Sequence, residues 1–307
     1  MNTTFETAGL RVFERGWLSS NSVLFDGGSH GESVLIDSGY CTHAAQTVAL
    51  VRNALGDRRL DRIVNTHLHS DHCGGNHALQ AAFDCMIDVP AGELDKVDRW
   101  DEARLTYRDT GQRCPRFMCT GSIRAGDEIR CGDWLWQVIA TPGHDPESIV
   151  LYQQELKLLI SADALWETGF GVVFPELEGL KAFEDVRNTL DRLGRLAVQW
   201  ILPGHGAPFQ DLAKALDRAH RRLDGFLADP ARHARHAAKV LIKFHLLEAQ
   251  ERELTELLAW LESTRYLRIT HEQHFRDTPF TAWAMKLLAD LTASNAIAMV
   301  DGRVRNI

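Results

Sequence analysis

Three imidazoles and one carboxylate fall within six residues of the stretch Thr66-His67-Leu68-His69-Ser70-Asp71-His72-Cys73-Gly74-Gly75-Asn76. His67 and His69 stand two apart, so on extended backbone their side chains point the same way, whereas His72 is offset by three and faces elsewhere. One short segment can therefore feed two adjacent metal ions, His67 and His69 one of them, Asp71 and His72 the other. Gly74 and Gly75 are expected to let the backbone turn tightly where side chains would crowd the ions. Three further metal-capable residues each follow a strand-like run: His144 after Trp134 to Ala140, Asp163 after Lys157 to Ser161, and His205 after Trp200 to Pro203. Five imidazoles and two carboxylates suit zinc, with manganese or iron as alternatives, because borderline ions prefer nitrogen with some oxygen. Two neighbouring ions that share a hydroxide lower the pKa of that water from about 15.7 toward 7, so a nucleophile exists at neutral pH. Asp71 is placed to orient it and to pass a proton to the leaving group. No serine or cysteine nucleophile is needed, and Cys73 reads as incidental to the chemistry.

The elements that must position these groups can be read coarsely. Leu10 to Phe13, Ser22 to Phe25 and Ser33 to Ile36 are short strand-like runs, expected as antiparallel hairpins, and the third ends at Asp37. Thr42 to Leu55 reads as an amphipathic helix, Asp61 to Asn65 as the strand that delivers the histidine motif, and His77 to Phe83 as a helix behind it. The stretch 88–119 is the least regular: Glu93 to Arg108 is charged and helix-compatible, and Gly111, Pro115 and Gly121 interrupt the chain beyond it. An irregular stretch between ligand segments is either a lid or substrate wall, or a solvated insertion. Phe183 to Leu196 is helical. Beyond Pro208 the pattern changes to helices over Leu212 to Leu227, Ala231 to Glu248, Glu251 to Ser263 and Trp283 to Ala293, closed by Ile297 to Val300, the turn Asp301-Gly302 and Val304. Residues 1–212 are expected to form the site-bearing domain and 213–307 a smaller, mainly helical, winged-helix-like one.

The bulk composition fits a soluble globular protein: 45% hydrophobic and 25% charged residues in 307, enough for one large domain and a smaller one. A net charge of −8 argues against a general nucleic-acid binder. Met1 to Gly9 is polar and lacks the apolar core of a signal peptide, and no run reaches the roughly 18 apolar residues of a membrane span, so a cytoplasmic protein without membrane contact is expected. The six cysteines lack zinc-finger spacing and read as free thiols. His233-x-x-His236 and His271-x-x-His274 have ligand-like spacing but no third ligand.

From Asp37 to His205 these residues resemble the metallo-β-lactamase superfamily, with all five of its motifs in order: Asp37, then His67-x-His69-x-Asp71-His72, His144, Asp163 and His205. The resemblance implies an α/β chain folded as an αββα sandwich with the site at one edge. It implies that His67, His69 and His144 hold one metal, that Asp71, His72 and His205 hold the second, that Asp163 bridges both and that Asp37 supports them from behind. Two zinc ions per chain are implied, with Mn2+ or Fe2+ as alternatives. The C-terminal part looks like the extension of the branch that includes β-lactamase-like protein 2.

The family's branches narrow the substrate. True β-lactamases of this superfamily lack an aspartate at the position of Asp163, so antibiotic hydrolysis is not expected; glyoxalase II, lactonases and ribonucleases have it. The favoured reading is a dinuclear hydrolase of a small thioester, ester or lactone. The alternatives are a phosphodiesterase or ribonuclease, for which the basic residues of 214–243 speak, and a mononuclear iron oxygenase or low-turnover effector of the same fold. Trp166 and Phe170 are expected to contact substrate, and Trp134, Trp136 and Phe174 could extend an apolar acyl pocket. The expected partner is a small molecule; a homodimer is compatible with the sequence.

Overall fold

The computed structural model describes residues 3–28 and 31–307. Its centre is two packed sheets. The first runs in the order β1 (Leu10–Phe13), β2 (Ser22–Phe25), β3 (Val34–Ile36), β4 (Arg62–Val64), β5 (Met86–Pro90), β6 (Gly121–Ile123). The second contains β7 (Glu128–Cys131), β8 (Trp134–Ala140), β9 (Ile149–Gln153), β10 (Leu158–Ala162) and β11 (Trp200–Pro203), in the order β11-β10-β9-β8-β7. The opening hairpins are antiparallel, β3 to β6 run parallel, and β10 pairs parallel with β11.

Strands buried on both faces read as continuous apolar runs, and here alternate side chains serve two cores. Val34, Ile36 and Val64 face Trp136, Val138, Leu151, Ile160 and Leu202 across the space between the sheets. Leu35, Ile63 and Ile87 face outward onto Val51, Leu55 and Leu79 of the helices Ala44–Leu55 and Asn76–Phe83. On the other side, Val150, Leu159 and Ile201 meet Val186 and Leu190 of the helix Phe183–Leu193 and Ala219 and Leu223 of the helix Leu212–Ala228. The layers are therefore helix, sheet, sheet, helix, the mixed α/β sandwich expected.

The remaining helices, Pro230–Ala249, Leu254–Ser263, Arg265–His274 and Phe280–Ala293, share a separate core with the small sheet β12 (Glu251–Glu253), β14 (Arg303–Asn306), β13 (Ile297–Val300). The boundary drawn at 212 needs correction. The helix Leu212–Ala228 buries its apolar face on the second sheet and completes the sandwich, so the change of core falls near Asp229. That aspartate accepts from Arg232 N and caps the next helix.

Two other expectations change. The 88–119 stretch begins within the strand Met86–Pro90, and its helix-compatible part forms only short helices, Leu94–Arg99 and Tyr107–Thr110. The helix Arg265–His274 and the strands β6 and β7 were not legible, being short or without clear periodicity. Gly74 and Gly75 have ordinary right-handed backbone angles. They are needed because a Cβ would lie 2.4 Å from Ser70 O or Ser38 O, so they clear neighbouring backbone and not the ions. No helix among the described residues is long and apolar enough to cross a membrane.

Candidate metal centre

Each of the motif residues sits where a strand of the sandwich ends. β3 delivers Asp37, β4 delivers His67, β8 leads to His144, β10 to Asp163 and β11 to His205. The chain bends at Thr66 and His67, is extended at His69, and then coils into the helical turn Ser70–Cys73, which carries Asp71 and His72. His67, His69 and His144 bring one ring nitrogen each within 4.8 Å of one another, as do Asp71, His72 and His205 with one donor atom each. Asp163 lies between the groups: Oδ2 is 3.4 Å from His144 Nε2, and Oδ1 is 3.4 Å from His72 Nε2 and 3.9 Å from His205 Nε2. All seven residues are at most 9% exposed.

The donor atoms fit cations better than one another. His69 Nδ1 stands 3.0 Å from His67 Nε2 and 2.8 Å from His144 Nε2, and one proton cannot serve both contacts. His144 Nδ1 lies 2.5 Å from Val172 O, to which it donates, so its Nε2 is left as a lone pair. His72 Nδ1 lies 2.8 Å from Asp37 Oδ2, which likewise turns Nε2 inward, where it is buried without a hydrogen-bond partner. Asp37 is fixed in turn by Thr66, whose N and Oγ1 donate to its two oxygens at 2.9 and 2.8 Å. Trp166 Nε1 donates to Asp163 Oδ1 at 3.2 Å. Gly204 is obligatory, since a Cβ there would lie 2.2 Å from Asp163 Oδ1. Ala162, just before Asp163, adopts φ 44°, a left-handed conformation costly for alanine and held by the shift in register between β10 and β11.

The electrostatics point the same way. Burial, with neighbouring imidazoles, pushes His69 and His144 down to about 4 and His67 well below its ordinary range, so these three are neutral donors at physiological pH. Burial opposes charge on His72 as well, but Asp163, Asp37 and Asp71 outweigh it and hold His72 above its ordinary value. Burial also disfavours the ionised form of Asp163, yet His72 and His205 keep it well below the usual carboxylate range. The ion pairs of Asp71 and Asp163 among the described residues are all with imidazoles. The site thus gathers negative charge and lone pairs that a divalent cation would satisfy.

Residues 15–205, more than half of the chain, match the description of the Metallo-beta-lactamase superfamily. The chain belongs to that superfamily. It is 31% identical over 146 residues to a hydroxyacylglutathione hydrolase of Bdellovibrio bacteriovorus, covering 47% of this chain and 47% of that relative, so it spans about half the relative's length. It is 24% identical over 267 residues to a beta-lactamase-like protein 2 homolog of Caenorhabditis elegans, covering 85% of this chain and 72% of the relative. The crystal structure of a metallo-beta-lactamase family protein from Thermus thermophilus superposes with a TM-score of 0.56 at 21% identity, over 97% of this chain and 99% of that one, a likeness of fold.

Around this superfamily site lies a cavity of about 490 Å³, walled in part by Trp17, Trp166, Phe174 and Phe244. Phe174 touches the rings of His69 and His144, with centroids 4.8 and 5.8 Å away. Of the aromatics expected to meet substrate, Trp166 lines the cavity. Phe170 does not: its ring is 1% exposed and packs in the core under the second sheet's outer helices. Trp136 is wholly buried between the sheets, and Trp134 packs at the sheet edge with Nε1 donating to Thr7 O. Thr110 and Gln112 place the 88–119 stretch in the cavity wall.

Sequence reasoning missed the segment Trp17 to Asn21. Trp17 stacks on His205, centroids 5.1 Å apart and planes 7° apart. Asn21 Nδ2 donates to Pro203 O at 3.0 Å and Gly206 O at 2.7 Å, and Ser20 N donates to Asp71 O at 3.0 Å, so this loop ties down both sides of the second donor group. No spacing rule links it to ligands 50 and more residues away. His233 accepts from Val173 N at 3.1 Å and His271 faces Thr278 O, and among the described residues neither histidine pair joins a metal cluster. The six cysteines are free.

Proposed function

We propose that the chain is a metal-dependent hydrolase that holds two ions, zinc by its donor set, and cleaves a small thioester, ester or lactone. The observation that carries this is Asp163, whose two oxygens reach His144 on one side and His72 on the other at 3.4 Å each. A mononuclear centre would leave Asp71, His72 and His205 gathered without purpose. Ions bound there supply water activated near neutral pH and a Lewis acid for the substrate's oxygen. His67, His69 and His144 would hold one ion, and Asp71, His72 and His205 the other, with Asp163 shared.

The chain's own groups do the rest. Asp71 Oδ2 lies 3.0 Å from His205 Nε2 at the cavity floor, where its carboxylate can hold a proton between the attacking water and the leaving group. Trp166 fixes Asp163 through its indole N–H. The aromatic walls exclude bulk water and would pack an acyl chain. The hydroxyacylglutathione hydrolase relative supports a thioester.

A second reading, a phosphodiesterase or ribonuclease, follows from the resemblance to the branch that includes β-lactamase-like protein 2, a homolog of which aligns with 85% of this chain. Hydrolysis of thioesters, lactones, phosphodiesters and RNA by the zinc-loaded protein, with His69→Ala as control, separates the two. Turnover of RNA with a steep salt dependence and none of thioesters would replace the first reading with the second.

A further inference from the structure

The cavity extends from the donor cluster past Trp166 and Val172 to the helix Pro230–Ala249 of the C-terminal region. Three cations line that far part: Arg222, Lys239 and Lys243. Two are already engaged. Lys239 Nζ is 2.8 Å from Asp290 Oδ2, and Lys243 Nζ donates to Ala296 O, Asn306 Oδ1 and Ile307 O at 2.6, 2.5 and 2.9 Å. Arg222 differs. Among the described residues it has no carboxylate partner, although Arg187, Arg218 and Arg221 nearby pair with Asp224, Glu167 and Asp217.

What holds Arg222 is neutral. Its Nη2 donates to His236 Nε2 at 2.5 Å, and its guanidinium carbon lies 5.4 and 5.5 Å from the ring centres of Phe170 and Phe226. Burial, then the charges of Arg222 and Lys239, hold His236 down to about 4, so it accepts from Arg222 and adds no charge of its own. A Cβ at Gly169 would lie 2.7 Å from Arg222 Nη1, so the loop leaving Asp163 passes directly against the guanidinium. A guanidinium offers five N–H donors in a rigid fork, and among the described residues one of them is used here. A largely buried cation with spare donors and no counter-charge is costly unless something completes it.

We propose that Arg222, oriented by His236, Phe170 and Phe226, is an anion-recognition point in the cavity and that the substrate carries a carboxylate remote from the bond cleaved. Lys243 forms no side-chain ion pair either among the described residues, but all three of its donors are taken, so Arg222 is the lining cation with donors to spare, and its planar fork matches a carboxylate in bidentate geometry. The apolar stretch from Phe174 to Phe244 takes the part of the substrate between the two ends. The position of the carboxylate relative to a cleaved bond rests on the hydrolase reading; the binding of the anion does not.

The test is equilibrium titration of the full-length, zinc-loaded protein with octanoate, octanesulfonate and octanol, which share a chain and differ in the head group. Both monoanions are expected to bind about tenfold or more tightly than octanol. Arg222→Gln should remove that preference and leave octanol binding unchanged, while Arg222→Lys keeps part of it. Either monoanion binding Arg222→Gln as tightly as wild type would place it on the metal ions and overturn the proposal. Equal binding of all three to wild type overturns it without need of a variant that folds. The readout involves no turnover. A protein inactive on every ester and thioester that still shows the Arg222-dependent preference retracts the hydrolase reading and keeps the anion site; an active thioesterase without the preference does the reverse.

Discussion

Asp37 and His72 meet in the buried floor of the site, Oδ2 to Nδ1 at 2.8 Å, and neither is more than 4% exposed in its side chain. The contact fixes which ring nitrogen of His72 faces the donor cluster. Asp37 itself adopts φ 59°, a left-handed conformation that aspartate tolerates better than most residues. Such outer contacts set the orientation and basicity of a ligand.

Asp37→Asn should therefore weaken metal binding about 10- to 100-fold while all seven proposed ligands remain. Competition with a chromophoric chelator measures it. Unchanged affinity would mean that His72 holds its place without this partner.

Trp17 stacks flat on His205 at the cavity mouth yet is 55% exposed. Trp17→Ala should leave metal content unchanged and raise KM roughly two- to tenfold, the scale of an aromatic contact. Steady-state kinetics beside elemental analysis separates this from a lost ligand. A fall in metal content would instead make Trp17 a support of His205.

Glu93 is not among the seven donors, although it interacts with Asp145, which neighbours His144 and lies 4.0 Å from His69. Burial first, then Asp145, pushes its carboxyl up from an ordinary 4.5 to about 7, against the pull of Lys96, whose Nζ is 2.6 Å away. Between pH 4.5 and about 7 the folded chain holds a proton there that the unfolded chain has lost. The stability this contributes is complete below the unfolded value and is lost as pH rises through the folded one. Urea unfolding at pH 5 and pH 8 should show wild type losing on the order of 2–3 kcal/mol more than Glu93→Gln over that range. Parallel pH profiles would contradict the assignment.

The order of donor residues was legible because the segments that carry Asp37, His67, Asp163 and His205 follow short apolar runs and His144 follows an alternating one, and strand ends on one edge of a sandwich converge. The supporting residues were not. Trp166 and Phe170 lie four apart in one loop, and nothing in their spacing tells that the first lines the cavity while the second turns into the core. Trp17 and Asn21 reach His205 and its loop only once the sheets have folded together. The helix Leu212–Ala228 reads like its successors in sequence, and only packing assigns it to the sandwich. Arg222 sits in sequence among arginines that pair with carboxylates, and only the fold sets it apart by giving it His236 as its partner.

In the proposed hydrolase, His67, His69, His144, Asp71, His72, His205 and the shared Asp163 hold two ions. Elemental analysis of the purified chain after loading with zinc and removal of excess tests it most directly, run beside His205→Ala and Asp163→Ala. Two ions per wild-type chain are expected, with His205→Ala retaining the ion of the three-histidine group, and turnover abolished in Asp163→Ala although the metal-free chain still folds. A single ion per wild-type chain, unchanged by His205→Ala, would contradict it.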